Sequence, residues 1–149
     1  MAFKSHMDKA LAEARAAAKR GEVPVGAALI APDGRVAALA GNRTRELNDP
    51  TAHAEILTIR AACAALGSER LTGYDLYVTL EPCAMCAAAI AAARIRRVYY
   101  GAADPKSGGV AHGACVFSHP QVHHAPEVYE GIAEGEASAL LKEFFAGKR

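Results

Sequence analysis

Hydrophobic and polar positions recur along this chain with two different periods, one typical of helices and one typical of strands. Apolar residues, many of them alanine, are spaced three and four positions apart from Ser5 to Arg20, and Gly21 follows them. This spacing, with a glycine as its stop, predicts a first amphipathic helix. Two apolar runs at 23–31 and 36–40 flank the turn signal Pro-Asp-Gly-Arg at 32–35. They predict two strands joined as a hairpin.

Helical and strand-like patterns alternate through the rest of the chain. The predicted helices lie at 53–66, 82–93 and 133–145, and the predicted strands at 75–80, 96–100 and 126–129, the last at a sheet edge. A strand, a crossover helix and a strand in that order imply a parallel pair with a right-handed connection. From 104 to 126 the periodicity disappears and Gly, Pro and His accumulate, so we expect loops and a short helix there. The patterns indicate one α/β domain over residues 1–149, without repeats or a linker.

The composition narrows the class of protein. Hydrophobic residues make up 52% of the chain and Trp is absent, and the excess of alanine favours helices packed closely on a sheet. A net charge of +1 excludes a non-specific coat for nucleic acid, so any RNA site must be a local basic patch. Four cysteines are too few for a disulfide scaffold, and unpaired thiols are typical of a reducing compartment. The sequence shows neither an apolar signal core nor a membrane-spanning run, so we expect a cytoplasmic protein without membrane contact.

The chemically richest stretch combines His53 and Glu55 with Cys83 and Cys86. Cysteines three positions apart share one face of a helix, and Pro82 is a favourable first helical residue. The N-terminus of a helix stabilises thiolates, the form of cysteine that binds metals. The sequence therefore predicts that both thiols lie in the first turn of a helix, ready to bind a metal ion.

The segment before His53 also indicates the start of a helix, with Asp49 or Thr51 as its cap. Two helices directed at one point would then deliver an imidazole, two thiolates and a carboxylate to the same site. Such a set suits a zinc ion with an open position and a general acid/base beside it.

The number of ligands separates a catalytic metal site from a structural one. A structural zinc site closes with four protein ligands, whereas a hydrolytic site uses three and leaves one position for water. Here one C-x-x-C and one histidine supply three, and Glu55 is placed to act on a water whose pKa zinc lowers from about 16 to about 7. The joint spacing H-x-E and P-C-x-x-C is the signature of zinc-dependent nucleobase deaminases. Read separately, the cysteines would fit a redox pair or half a zinc ribbon, and the histidine a helix cap or a core residue.

Beyond this motif, the chain resembles the bacterial tRNA adenosine deaminases, the TadA branch of the cytidine deaminase-like superfamily, nearly from end to end. The matching segments are 22–27, 41–43, 49–56, 76–86, 93–95, 101–106 and the phenylalanine pair at 144–145. The metal motif alone specifies the superfamily, whereas Asp104-Pro105-Lys106 and the phenylalanine pair narrow it to this branch. The resemblance implies a three-layer α/β/α fold with a five-stranded mixed sheet, and a homodimer.

The same resemblance assigns roles within the site. It implies one zinc ion per subunit, held by His53, Cys83 and Cys86, with Glu55 as the proton shuttle. The implied substrate is the wobble adenosine, position 34, of tRNA(Arg) with an ACG anticodon, which is converted to inosine. The implied substrate contacts are Asn42 to the flipped base, the backbone of Ala54 and Ala84 along the pocket, Asp104 near the ribose and His124 at the mouth. The phenylalanine pair could be ordinary helix core, or one ring could pack inside while the other, Phe145, supports a splayed base; core packing is favoured for at least one ring.

Two sets of polar residues are open to more than one interpretation. A basic set could contact phosphates of an anticodon loop or merely keep the surface soluble; it comprises Arg94, Arg96, Arg97, Lys142, Lys148 and Arg149. A histidine set could suggest a second metal site; it comprises His112, His119, His123 and His124. Because the histidines lack regular spacing, solvated loop residues or RNA contacts are favoured.

Three functions are compatible with the motif. The leading hypothesis is a tRNA adenosine deaminase whose partner is the tRNA anticodon stem-loop. A deaminase of a free base or nucleoside, such as guanine, cytosine or an analogue, would use the same zinc site but would close its mouth with a lid or a partner subunit. An RNA-binding subunit without activity would keep the zinc ligands and lose the shuttle carboxylate, and the presence of Glu55 argues against it.

Overall fold

Nine α-helices and β-strands follow one another along residues 3–147, the part of the chain that the computed structural model describes. The helices are α1 (Met7–Lys19), α2 (Ala54–Leu66), α3 (Ala84–Ala92) and α4 (Glu134–Ala146). The strands are β1 (Gly26–Ile30), β2 (Val36–Gly41), β3 (Asp75–Leu80), β4 (Arg97–Ala102) and β5 (Glu127–Tyr129). A short 3-10 helix spans Val116–Ser118, within the segment where a short helix was expected. Lys148 and Arg149 of the basic set lie outside the described residues.

The five strands form one mixed sheet in the order β2-β1-β3-β4-β5. The predicted hairpin is present, since β1 pairs antiparallel with β2, and β1 is also antiparallel to β3. The predicted parallel pair joins β3 and β4, and β5 extends it as a parallel edge strand. The mixed five-stranded sheet is therefore confirmed, and two parallel strands end side by side where ligand sites usually form.

Helices cover both faces of the sheet, which confirms the three-layer α/β/α arrangement. Alternate residues of β3 point to opposite faces: Leu76 and Val78 belong to the core beneath α2 and α3, whereas Tyr77 belongs to the core beneath α1 and α4. Each face is thus closed by apolar side chains, and the polar groups of the site gather at one end of the sheet.

The first helix lies very close to the sheet. A side chain at Gly26 would overlap the backbone of Ala10 and Ala14, so only glycine fits beneath α1 at this position. Strand β1 is shorter than predicted and begins at Gly26 instead of residue 23, because the amide of Val25 turns back to the carbonyl of Val23 (2.8 Å) and leaves the ladder. Within residues 3–147, every helix is too short or too polar to cross a bilayer.

Candidate metal centre

The two ligand segments precede two helices that begin at the same site. His53 is the residue before α2 and Cys83 the residue before α3, and both have extended backbones. Cys86 and Glu55 lie in the first turns of these helices, whereas Cys83, which the sequence also placed in a first turn, lies just before α3. Because Cys83 follows the carboxyl end of β3, the site forms where parallel strands end and helices begin.

Two predicted details of these helix starts are wrong. Neither Asp49 nor Thr51 caps α2: the Thr51 amide and hydroxyl instead donate to the Asp49 carboxylate (2.9 and 2.6 Å), which closes a local turn. The cap comes from outside the segment, because the Asn42 side-chain oxygen accepts the amide of Ala54 (2.8 Å). Likewise, Pro82 is not the first helical residue; α3 begins two residues later.

The geometry of the His-Cys-Cys cluster fits zinc. The His53 Nδ1 atom lies 3.4 Å from the Cys86 sulfur and 3.7 Å from the Cys83 sulfur, and all three ligand atoms lie within 4.8 Å of one another. In a tetrahedral zinc site, N–Zn and S–Zn bonds of about 2.0 and 2.3 Å separate nitrogen and sulfur by roughly 3.6 Å. The cluster therefore has the ligand types and separations of a three-ligand site. Among the described residues it is also the one group of three or more such ligands close enough to hold a metal ion, so no second site arises from the loop histidines.

The electrostatics of the cluster favour a thiolate at neutral pH. Hydrogen bonds from the thiol of Cys86 and from His53 lower the pKa of Cys83 to about 4. The Cys83 thiolate in turn raises the pKa of Cys86, and its hydrogen bond raises the pKa of His53. One anionic sulfur is therefore in place, and a divalent cation would draw the proton from the other.

Glu55 is a buried carboxylate beside this cluster, with 3% of its surface exposed. Burial raises the pKa of Glu55 to about 7, because the charged form is poorly solvated there. The positive charge of a bound metal would act in the opposite direction. A carboxyl group with a pKa near neutrality can both accept and release a proton, which is what a general acid/base requires.

A cavity of about 240 Å³ opens over the cluster. Its polar lining comprises Asn42, Thr44, His53, Glu55, Glu81, Cys83, Asp104 and Ser107, and the apolar residues Val23, Val25 and Leu80 complete it. Drug-sized ligands usually occupy about 300 to 1,000 Å³, so this cavity suits a single base. The side-chain oxygen of Asn42 accepts a hydrogen bond from the amide of Ala54. The side-chain NH2 group of Asn42 is therefore the part that can donate to another partner.

Two buried glutamates hold the loops that border this cavity, and their role did not emerge from the sequence. Glu22 accepts the amides of Arg45 and Glu46 (3.1 and 2.9 Å), next to the Asn42 loop. Glu81 accepts four amides from the segment 104–112 and the Nδ1 atom of His112 (2.8 Å). For both, burial alone would raise the pKa, but these hydrogen bonds outweigh it and hold the pKa below its ordinary value. The one feature of the sequence that could have indicated the role of Glu81 is its position directly before the P-C-x-x-C motif.

The remaining predicted substrate contacts lie at different distances from the cluster. Ala54 and Ala84 are the first residues of α2 and α3, next in sequence to His53 and Cys83, but neither is among the residues lining the cavity. His124 is not among the residues lining the cavity, and its Nε2 atom bonds the carbonyl of Ile95 (2.8 Å). Phe145, 54% exposed on α4, packs edge-on against Phe144.

The basic residues near β4 lie away from the metal cluster and have partners within the chain. Arg96 and Arg97 lie at the amino end of β4, opposite the end that carries Asp104, roughly 17 Å away along the strand. Arg96 forms two hydrogen bonds with Asp75 (3.0 and 2.7 Å), and Arg97 pairs with Glu127 (3.4 Å). Arg94 donates to the carbonyls at the end of α3. Their location and partners favour the solubilising interpretation over a phosphate-binding cluster beside the site.

The fold and the cluster agree with what the chain resembles among known proteins. Residues 2–102 match the cytidine and deoxycytidylate deaminase zinc-binding region. A tRNA-specific adenosine deaminase of Agrobacterium fabrum is 64% identical over 150 residues, which span 100% of this chain and 98% of that protein. A solved structure from studies of A-to-I editing by tRNA:A34 deaminases is 66% identical, with a TM-score of 0.89 over 91% of this chain and 97% of that one. Guanine deaminase from Bacillus subtilis is more distant, at 30% identity and a TM-score of 0.67 over 99% of this chain and 94% of that one. The chain therefore belongs to the tRNA-specific adenosine deaminases, within the cytidine and deoxycytidylate deaminase family.

Proposed function

We propose that this chain hydrolytically deaminates the wobble adenosine, position 34, of tRNA to inosine, and that its substrate is tRNA(Arg) with an ACG anticodon. The main support is the 64% identity to a tRNA-specific adenosine deaminase across the whole chain. The choice of tRNA(Arg) follows from the resemblance of the sequence to the TadA branch. The stem-loop of the anticodon is the expected binding partner.

One zinc ion per chain would be held by His53, Cys83 and Cys86, whose separations fit a tetrahedral ion. Zinc in such a site supplies an activated water molecule close to neutral pH. Glu55 is not needed as a fourth ligand and remains available for proton transfer.

Glu55 would carry both protons of the reaction. Its carboxylate accepts a proton from the attacking water and delivers it to N1 of adenine while the water oxygen adds to C6. Glu55 then takes the second proton from the hydroxyl group added at C6 and delivers it to the exocyclic amino group, which departs as ammonia when the C6–N6 bond breaks and the C6 carbonyl forms. Adenosine and water are thus converted to inosine and ammonia, and Glu55 ends in the form in which it began.

The walls of the cavity would orient the flipped base. The NH2 group of Asn42 is a donor for a base acceptor, because its oxygen is engaged by Ala54. The backbones of Ala54 and Ala84 would border the base, and Asp104 would lie near the ribose. His124 and Phe145 would contact more distant nucleotides; the Nδ1 atom of His124 remains for RNA, since its Nε2 atom bonds Ile95.

We further propose that residues 1–149 form one deaminase domain, and that the protein is a cytoplasmic homodimer. A largely apolar cavity of about 250 Å³ between α3 and the segment 114–123 after β4 supports an association surface; alanines, Val116 and Val122 line it together with His119, Gln121 and His123. Met85 on α3 is 37% exposed, which adds to the apolar character of this side.

The deciding experiment measures inosine formation in a tRNA(Arg) ACG transcript, with Glu55→Ala as control. Adenine, guanine, cytosine and their nucleosides are assayed in parallel by ammonia release. Inosine at position 34 that depends on Glu55 is the expected result. Ammonia from a free base such as guanine, without inosine in the RNA, would replace this proposal with a small-molecule deaminase.

A further inference from the structure

We propose that Glu81 is a positioning residue that holds the segment 104–112, one wall of the cavity, against the zinc-ligand turn and thereby sets how tightly RNA is bound. The consequence for RNA binding rests on the function proposed above, whereas the structural role of Glu81 does not. Glu81 is not one of the metal ligands; it borders the cavity itself, but its side chain is fully buried.

The Glu81 carboxylate is surrounded by hydrogen-bond donors, most of them backbone amides. Its side chain is fully buried, and among the described residues neither lysine nor arginine pairs with it. One oxygen accepts the amide of Asp104 (3.0 Å) and the imidazole of His112 (2.8 Å). The other oxygen accepts the amides of Val110, Ala111 and His112 (3.2, 3.0 and 3.2 Å). Five donors converge on one anion, and such charge-assisted bonds are stronger than neutral ones.

The same segment is packed directly on the turn that carries the ligands. The amide of Gly109 donates to the carbonyl of Pro82 (2.8 Å). Side-chain atoms at Gly108 or Gly109 would overlap Glu81 or the Cys83–Ala84 backbone, so the two backbones touch without room for a Cβ atom. This close contact, together with the hydrogen bonds that Glu81 accepts from both ends of the segment 104–112, fixes the segment against the ligand turn.

The wall so held contains groups that face the substrate cavity. Asp104 and Ser107 line it opposite Asn42, and the Asp104 carboxylate accepts the amides of Lys106 and Ser107 (3.2 and 3.0 Å). Loss of the hydrogen bonds to Glu81 would free the backbone of Asp104 at one end of the wall and that of residues 110–112 at the other. The three metal ligands would keep their positions at the starts of α2 and α3. Loss of the Glu81 contacts should therefore weaken RNA binding more than it slows the chemical step.

The chain offers a matched control in Glu22. It is also a buried carboxylate, with 1% of its surface exposed, and it also accepts backbone amides, but those of Arg45 and Glu46 on the opposite wall. Glu22→Gln and Glu81→Gln therefore introduce the same chemical change in two different loops. In Glu81→Gln, replacing either oxygen by NH2 deprives two or three donors of their acceptor.

The first test measures amide hydrogen exchange in the zinc-loaded protein. Glu81→Gln should accelerate exchange of the Val110–His112 amides and leave 45–46 unchanged, and Glu22→Gln should show the reverse pattern. His112→Ala removes one donor only and should accelerate 110–112 mildly, whereas His119→Ala, on the same loop without a Glu81 contact, should not. Unchanged exchange at 110–112 in both Glu81→Gln and His112→Ala would overturn the proposal.

The second test separates binding from chemistry on the anticodon stem-loop. Glu81→Gln should raise KM roughly 10- to 100-fold, as displacement of a positioning wall can, while kcat stays within about threefold and zinc content stays at the wild-type level. A fall in kcat that accompanies loss of zinc would assign Glu81 to the metal site and overturn its positioning role. If the wild-type protein does not deaminate the RNA, the proposed function fails, and hydrogen exchange alone decides whether Glu81 holds the wall.

Discussion

His53 and Glu55 are two positions apart, yet they do different work because a helix begins between them. His53 precedes α2 with an extended backbone, so its imidazole projects towards the two sulfur atoms. Glu55 lies within the first helical turn and is buried beside the cavity. A ligand outside the helix and a proton carrier inside it can therefore face one ion without competing for it.

This division of labour predicts opposite zinc contents for two variants. Glu55→Ala should keep zinc but lose at least about 10³-fold in turnover, within the range of general acid–base catalysis. His53→Ala should lose both zinc and turnover, because two thiolates alone leave the ion without its third ligand. Zinc is measured by atomic absorption and turnover as inosine formation. Loss of zinc from Glu55→Ala would contradict its assignment as a non-ligand.

Asn42 has two tasks that substitution can separate. Asn42→Asp keeps the acceptor for the Ala54 amide but removes the NH2 donor, so stability should be retained while KM for the RNA rises. Asn42→Ala removes both, and the loss of a helix cap should lower the free energy of unfolding by about 1 kcal/mol in addition. Urea unfolding and steady-state kinetics on both variants provide the comparison. A normal KM for Asn42→Asp would show that the donor does not read the base.

At the scale of elements, local patterns predicted the helices and strands well, and contacts distant in sequence account for the differences. The order of elements, the hairpin and the parallel pair followed from periodicity and turn signals. The cap of α2 did not follow from local patterns. It comes from Asn42, 12 positions before Ala54, whereas the nearer candidates Asp49 and Thr51 bond each other. The three metal ligands were predicted from their spacing in the sequence. The role of Glu81 was not, because the amides that it accepts lie 23 to 31 positions away along the chain. Such partners become neighbours only through the tertiary fold.

The contact between the segment 104–112 and α3 makes a prediction about glycine. Gly109→Ala should weaken zinc binding and lower stability by about 1–3 kcal/mol, because the new methyl group would meet the backbone of Cys83 and Ala84. The control is Gly135→Ala in α4, where a Cβ atom meets nothing within 4 Å. Alanine there should be neutral or stabilising, since it favours the helix. Equal effects of the two substitutions on thermal unfolding and zinc content would contradict the close approach.

At the scale of the whole molecule, the chain carries a net charge of only +1, and several arginines within residues 3–147 pair with carboxylates of the same chain. The pairs of Arg96 with Asp75 and of Arg97 with Glu127 fasten the amino end of the sheet. Exposed ion pairs of this kind contribute little stability. The buried carboxylates, which bind amides instead of cations, are therefore the charges through which pH acts most directly on folding.

Glu22 should make folding depend on pH in the acid range. Its pKa in the folded protein lies below the ordinary value of 4.5, despite burial, because the amides of Glu46 and Arg45 bond the charged form. The folded state then binds fewer protons than the unfolded state, so this stabilisation is complete above about pH 4.5 and is lost as the pH falls through the folded pKa. The contribution of this single group to the slope is at most about 1.4 kcal/mol per pH unit. Glu22→Gln should be less stable than wild type at pH 7, by about 1–3 kcal/mol, and the stabilities from urea unfolding should converge as the pH falls below 4.5 and through the folded pKa of Glu22. A constant difference between them from pH 7 to pH 3 would mean that the charge of Glu22, as distinct from its shape, does not hold the Asn42 loop.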